Sequence, residues 1–129
     1  MKDRLTQALI LLVGLINVIP VIGALSASMI QSLYHIDISD PNLVILMRHR
    51  AILFGILGGY ILFSLIRRDE QKRALFVGLI SMVSFAGIAL MEASLNAKLS
   101  MVLTIDYVGI GAAAVALLLL RSKPQTAPS

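Results

Sequence analysis

The chain contains no cysteine. That excludes disulfides, thiolate metal sites and cysteine nucleophiles, and leaves redox chemistry silent about its compartment. Charge is scarce too, at 14% of 129 residues, where a soluble domain carries about 25%. There are only two histidines, His35 and His49. They show no His-x-x-x-His spacing, so no metal and no cofactor is expected. Nor can a Ser/His/Asp arrangement be assembled from them. Gly55, Gly58 and Gly59 lie within an apolar run rather than in a phosphate-binding loop, and helix packing accounts for them better than a nucleotide does.

What is abundant is apolar surface. Hydrophobic residues make up 58% of the chain, and the mean hydropathy is +0.91. So small a soluble body could not enclose that much apolar area, whereas lipid can cover the outward faces. Four stretches, 8–33, 51–66, 74–91 and 101–120, are apolar nearly all round, against the roughly 20 residues that a spanning helix needs. Short polar connections separate them at 34–42, 67–73 and 96–98. The segment from Ser122 to Ser129 has two prolines and no apolar periodicity, and is expected to be a disordered tail after a single domain over 1–121. No internal repeat is visible. The expected fold is all-α: an integral membrane four-helix bundle with antiparallel neighbours.

Lysine and arginine set the expected orientation. Lys2, Arg4, Arg67, Arg68, Lys72, Arg73, Arg121 and Lys123 fall on one side, and Arg48, Arg50 and Lys98 on the other. The richer side is expected to be cytoplasmic, with both termini there. The net charge of +4 then reflects topology, and no nucleic-acid partner is expected. The first segment also resembles a secretory signal, with Lys2 and Arg4 before an apolar run and small residues Ala24, Ser26 and Ala27 after it. Apolar character continues to Leu33, which favours a retained span.

The second segment differs from the others. Its apolar stretch is short, but Asp40 suits an N-cap and Pro41 a first helical position, followed by Asn42. A helix over 41–66 would be about 39 Å long and would carry Arg48, His49 and Arg50 in its body. Measured from the basic end of each segment, Arg48 and Arg50 stand about 28 and 25 Å up, Glu92 about 27 Å and Asp106 about 22 Å. Two basic and two acidic groups thus share the outer edge of a roughly 30 Å slab. Arg48 shares a face with Ala51, Gly55 and Gly59, small residues that permit close helix approach, and is expected to point into the bundle. Arg50 lies about 200° away in phase and is expected to point outward or snorkel. Glu92 aligns with Ala89, Phe85, Ser81 and Gly78, and Asp106 with Gly109, Ala113 and Ala116. Arg48 is therefore expected to meet Asp106 or Glu92, since charges in a membrane pair. Such a cluster either locks helices together or holds a ligand. In the first segment, Pro20 predicts a kink, and Asn17 either ties helices together or lines a cavity.

The stretch LYHIDISDPNLVILMRHRAILFGILGG, from Leu33 to Gly59, resembles a family of small bacterial membrane proteins with four helices, in which LYG, DPNL and ILMRHRA-LFG follow in the same order. The resemblance extends over most of the chain. It implies a multi-pass protein of the bacterial inner membrane and marks Asp40, Pro41, Asn42, Arg48, His49 and Arg50 as the signature. His35 stands where the family carries glycine. Members are often automatically named phosphopantetheine adenylyltransferase, a soluble enzyme with an HxGH-type motif. Neither His35 nor His49 begins such a motif, so nucleotidyl transfer is not expected.

The leading functional expectation is a small binding or accessory membrane protein whose outer polar cluster holds an anionic headgroup or a partner helix. Membrane lipids are the expected partners, together with further copies of the chain or a larger membrane protein. The alternatives are an oligomeric transporter or channel subunit, and a membrane enzyme acting on a lipid or quinone with His49 as acid/base.

Overall fold

The structure, a computed structural model, describes residues 1–92 and 94–122. The described residues form five α-helices and no strand. They are α1 (Lys2–Val18), α2 (Ala27–Tyr34), α3 (Pro41–Phe63), α4 (Gln71–Met91) and α5 (Ala97–Arg121), with 3-10 turns at Ile19–Ala24 and Arg68–Glu70. Four helical stretches, Lys2–Ala24, Pro41–Phe63, Arg68–Met91 and Ala97–Arg121, are long and apolar enough to cross a membrane. The tail expected after Ser122 lies outside the described residues.

The first apolar segment is not one helix, which corrects the span expected over 8–33. Pro20, in the first turn of the 3-10 stretch, removes a backbone donor and tightens the chain. The helix then stops, and Ser26 takes an extended conformation as the N-cap of α2. Its Oγ accepts from the Met29 N–H at 3.3 Å and pairs with Ser28 Oγ at 2.9 Å. The small residues that read as a cleavage site are thus the joint between two helices. Asn17, buried in α1, donates to the Val13 carbonyl one turn back at 2.8 Å; the expected tie to another helix is absent among the described residues.

α3 starts at Pro41, with Asp40 Oδ1 accepting from the Asn42 N–H at 2.9 Å. This satisfies one of the unpaired donors of the first turn. The helix ends at Phe63, three residues short of the expected Ile66. Ser64 Oγ donates to the Ile61 carbonyl at 2.6 Å, and the buried Gln71 donates to the Ser64 carbonyl at 3.0 Å. These bonds capture the polar groups with which the helix would have continued.

α1 packs against α3 and α5 and more lightly against α4, while α4 packs chiefly against α5. Ile10, Val13, Ile61, Leu75, Met82, Ala113 and Ala116 form the central core. The contact between α1 and α3 is unusually close. A Cβ at Gly58 would run into the backbone N and Cα of Val18, and one at Gly55 would sit 2.5 Å from Val21 Cγ2. Gly109 of α5 likewise accommodates Met82 of α4, whose Sδ would be 2.5 Å from an added Cβ. Gly59, expected on the packing seam, has nothing within 4 Å of that position. The seam runs through Ala51, Gly55 and Gly58, which a continuous helix places on one face.

The end of the helices carrying the 63–71 turn is tied by exposed charges. Arg68 grips Asp3 at 3.0 Å, Arg67 meets Asp69 at 3.2 Å and Arg73 meets Glu70 at 2.9 Å. Each such pair contributes at most about 1 kcal/mol. Tyr60 donates to the Glu70 carboxylate at 2.6 Å, a charge-assisted bond, and Gln71 donates to Gln7 at 3.0 Å, an uncharged tie.

Replacing Gly58 by alanine is expected to destabilise the fold by about 1–3 kcal/mol, because the obstructing atoms are backbone and cannot swing aside. Gly59→Ala should be neutral, or stabilising by up to about 1 kcal/mol through helix propensity. Unfolding titrations of both variants in one detergent check this pair.

Candidate functional site: a cavity at Arg50

Arg48 and Arg50 diverge from the expected arrangement. Arg48 does lie on the small-residue seam, but α1 and its 3-10 extension cover that seam, not α4 or α5. Its Nε donates to the Ala24 carbonyl at 2.8 Å, and the side chain is exposed. It sits at the carbonyl end of the 3-10 turn, where a cation is favoured by the unpaired acceptors. Among the described residues it makes no ion pair with Asp106 or Glu92, so the expected pairing is corrected. Glu92 terminates α4, in an extended conformation and exposed. His49 is also exposed.

Arg50 is the arginine that turns inward. It is half-buried, and its guanidinium lies 4.7 Å from the ring centre of Phe54, 5.6 Å from Tyr34 and 5.9 Å from Phe85. Nη1 donates to the Tyr34 hydroxyl at 3.3 Å. Aromatic faces attract a cation at these distances, by about 0.5–2 kcal/mol depending on desolvation. Phe54 follows Arg50 by one helical turn, a neighbour that the spacing places on the same face. Tyr34 arrives from α2 and Phe85 from α4.

This group walls a cavity of about 300 Å³. Arg50 and Lys98 supply two cations and Asp106 one carboxylate, with Asn17 and Tyr34 adding polar groups. Ile16, Ile19, Met101, Val102 and Ile105 make the remainder largely apolar. Asp106 stands beyond ion-pair distance of Arg50 among the described contacts, so the guanidinium has no carboxylate partner in direct contact. Pro20 lines the cavity too, so the break it causes in the first segment shapes this space as well as bending the chain. Among the described residues no group of three or more His, Cys, Asp or Glu side chains converges as a metal site would.

The position of Tyr34 depends on one asparagine. Asn96 caps α5, its Oδ1 accepting from the Leu99 N–H at 2.8 Å. Its Nδ2 donates to the carbonyls of Tyr34 and His35 at 2.8 and 3.2 Å. One side chain thus starts α5 and fixes the end of α2. Of these participants, sequence reasoning assigned Asp106, Asn17, Pro20 and Arg50 to candidate polar positions. It missed Tyr34, Phe54, Phe85, Lys98 and Asn96. The Arg50–Phe54 spacing was the readable signal for one of them; the rest converge from separate helices.

Comparison with protein-family models, with curated proteins and with solved structures finds no match to the chain.

His35 closes α2 with φ 49° and ψ 46°, a left-handed conformation that disfavours side chains bearing a Cβ. His35→Gly is expected to raise stability by about 1 kcal/mol through relief of that strain. A higher thermal midpoint for the variant checks it, and an unchanged or lower one would show that the histidine ring itself contributes.

Proposed function

We propose that the chain crosses a membrane four times and binds an anionic amphiphile in the cavity at Arg50. The observation that carries the binding reading is the cavity's composition. Two cations, Arg50 and Lys98, outnumber the single carboxylate, Asp106, in a space of about 300 Å³ with mostly apolar walls, and among the described residues the Arg50 guanidinium makes no ion pair. A carboxylate or phosphate head would complete the charge, because a guanidinium pairs with planar or tetrahedral anions through several donors. The volume is at the small end of ligand sites, which suits a head and the first part of one chain.

The membrane reading rests on exposure. Between 17% and 33% of the most apolar stretch of each long helix is buried inside the structure. Residues such as Ile45, Leu46, Ile56, Leu90 and Leu118 are about two-thirds exposed, an outward surface that lipid would cover. In this reading the helices form an antiparallel bundle with both termini at the cytoplasmic face, where Lys and Arg are concentrated. The setting is a bacterial inner membrane, by the resemblance of the 33–59 stretch. Two features of the chain support that kinship: α3 begins at the Asp-Pro pair, and position 35, where the family has glycine, adopts a left-handed backbone.

The transporter and enzyme readings have less support. Ser26 and Ser28 are engaged in the helix joint rather than lining a polar path with Asn17. His49 is exposed and is not among the residues lining the cavity, so it has no evident acid/base task there.

Two experiments test the proposal. The absence of cysteine allows single cysteines at Lys2, Asp37 and Glu70 to be labelled by a membrane-impermeant maleimide without background. Lys2 and Glu70 should label from the cytoplasmic face and Asp37 from the other; labelling of all three from one face would end the four-span topology. For binding, dodecyl phosphate should raise the melting temperature of the purified protein, whereas dodecanol should not. Arg50→Ala should weaken dodecyl phosphate binding at least about tenfold, some 1.4 kcal/mol, and Arg48→Ala should leave it near wild type. Equal losses in both variants would mean that bulk charge, not the cavity, attracts the ligand.

A further inference from the structure

A second cavity, also of about 300 Å³, lies between α3 and α4. Leu53, Leu57, Ser81, Ser84 and Ile88 line it, and Arg50, Phe54 and Phe85 belong to its wall as well as to that of the first cavity. The two spaces therefore meet at one cation and two aromatic rings. We propose that the α3–α4 groove holds the alkyl chain of a single-chain anionic lipid whose head sits at Arg50, and that the Arg50–Phe54–Phe85 wall is where the lipid enters from the side. The proposal rests on the cavity reading above and adds the class of lipid and its route.

Three features commit the groove to a lipid chain. It begins at the same guanidinium that would hold the head, so charge and apolar surface are continuous along it. One of its two serines is already satisfied: the Ser84 hydroxyl donates back to the carbonyls of Ile80 and Ser81 at 2.8 and 2.9 Å. What the two serines provide is room, where larger side chains would close the gap. Finally, α3 packs much less on α4 than on α1, and Leu53 and Ile88 at the groove are 50% and 64% exposed. The groove thus opens toward the surroundings of the helices, where lipid is the available apolar molecule. Among the described residues lining it there is no carboxylate to repel an anionic ligand; Asp106 lines the head cavity alone. Phe54 and Phe85, each lining both spaces, are the side chains that would have to turn for a ligand to pass from one to the other.

Butyl phosphate and hexadecyl phosphate separate head from chain. Ser81→Phe and Ser84→Phe, which fill the groove, should weaken hexadecyl phosphate binding at least about tenfold and leave butyl phosphate binding unchanged. Arg50→Ala should weaken both. Val83→Phe, on an exposed face of α4 outside the groove, is the control and should bind both like wild type. On the wild-type protein in lipid nanodiscs, an alkyl phosphate with a mid-chain diazirine should label Leu53, Leu57 or Ile88. Wild-type binding of hexadecyl phosphate by both phenylalanine variants, or labelling confined to other helices, overturns the groove while the Arg50 cavity stands. If Arg50→Ala binds both ligands like wild type, the cavity reading fails and the groove proposal falls with it. Label at Leu57 in excess of that at the lipid-facing Ile56 and Leu118 decides the matter even if a phenylalanine variant does not fold, and an even spread over all of them overturns the groove.

Discussion

The close approach of α3 to the first helix at Gly58 governs the rest of the arrangement. With no Cβ at that position, the helix can lie on the backbone of Val18, and Gly55 admits Val21 just beyond. That contact fixes the rotation of α3 about its own axis. Once Ala51, Gly55 and Gly58 face α1 and its 3-10 extension, Arg48 is carried to the Ala24 carbonyl. Arg50, two residues on, is carried to the opposite side, toward α2, α4 and the cavity. A side chain larger than hydrogen at position 58 would move the helices apart and loosen both placements.

The cavity is a consequence of imperfect continuity in the chain. An uninterrupted first helix would carry Tyr34 far along the axis of α1. The break at Pro20 and Ser26 folds the chain back into the short α2, which brings Tyr34 beneath Arg50 and leaves a space lined by Asn17, Pro20 and the start of α5. Asn96 then closes the arrangement by capping α5 and holding the carbonyls of Tyr34 and His35. The opposite end of the helices is held instead by its paired charges and the Gln7–Gln71 contact.

Much of the plan was legible along the chain. Four apolar stretches, the Asp40–Pro41 helix start and the small-residue faces of α3 and α5 follow from length, capping chemistry and the helical period. So does the side of α3 on which Arg48 lies. The partner of that side was not legible. Periodicity says which residues share a face but not which helix covers it, so Arg48 was expected to meet an acid where it meets a backbone carbonyl. The same gap hid Arg50. Its side of α3 reads as outward when the Arg48 side is taken to face the bundle, whereas Tyr34 of α2 and Phe85 of α4 meet it in the folded chain.

The sequence by itself determined the apolar spans, the capped start of α3 and the scarcity of charge, because each depends on residues within a few turns of one another. Even the absence of cysteine, which removes thiol chemistry, is a property of composition alone. The tertiary structure decided which arginine faces inward, where the first segment breaks and which aromatic rings gather at Arg50. Those outcomes depend on Gly58 meeting Val18 and Asn96 meeting Tyr34, contacts between residues that lie about 40 and 62 positions apart and that only the packed helices bring together.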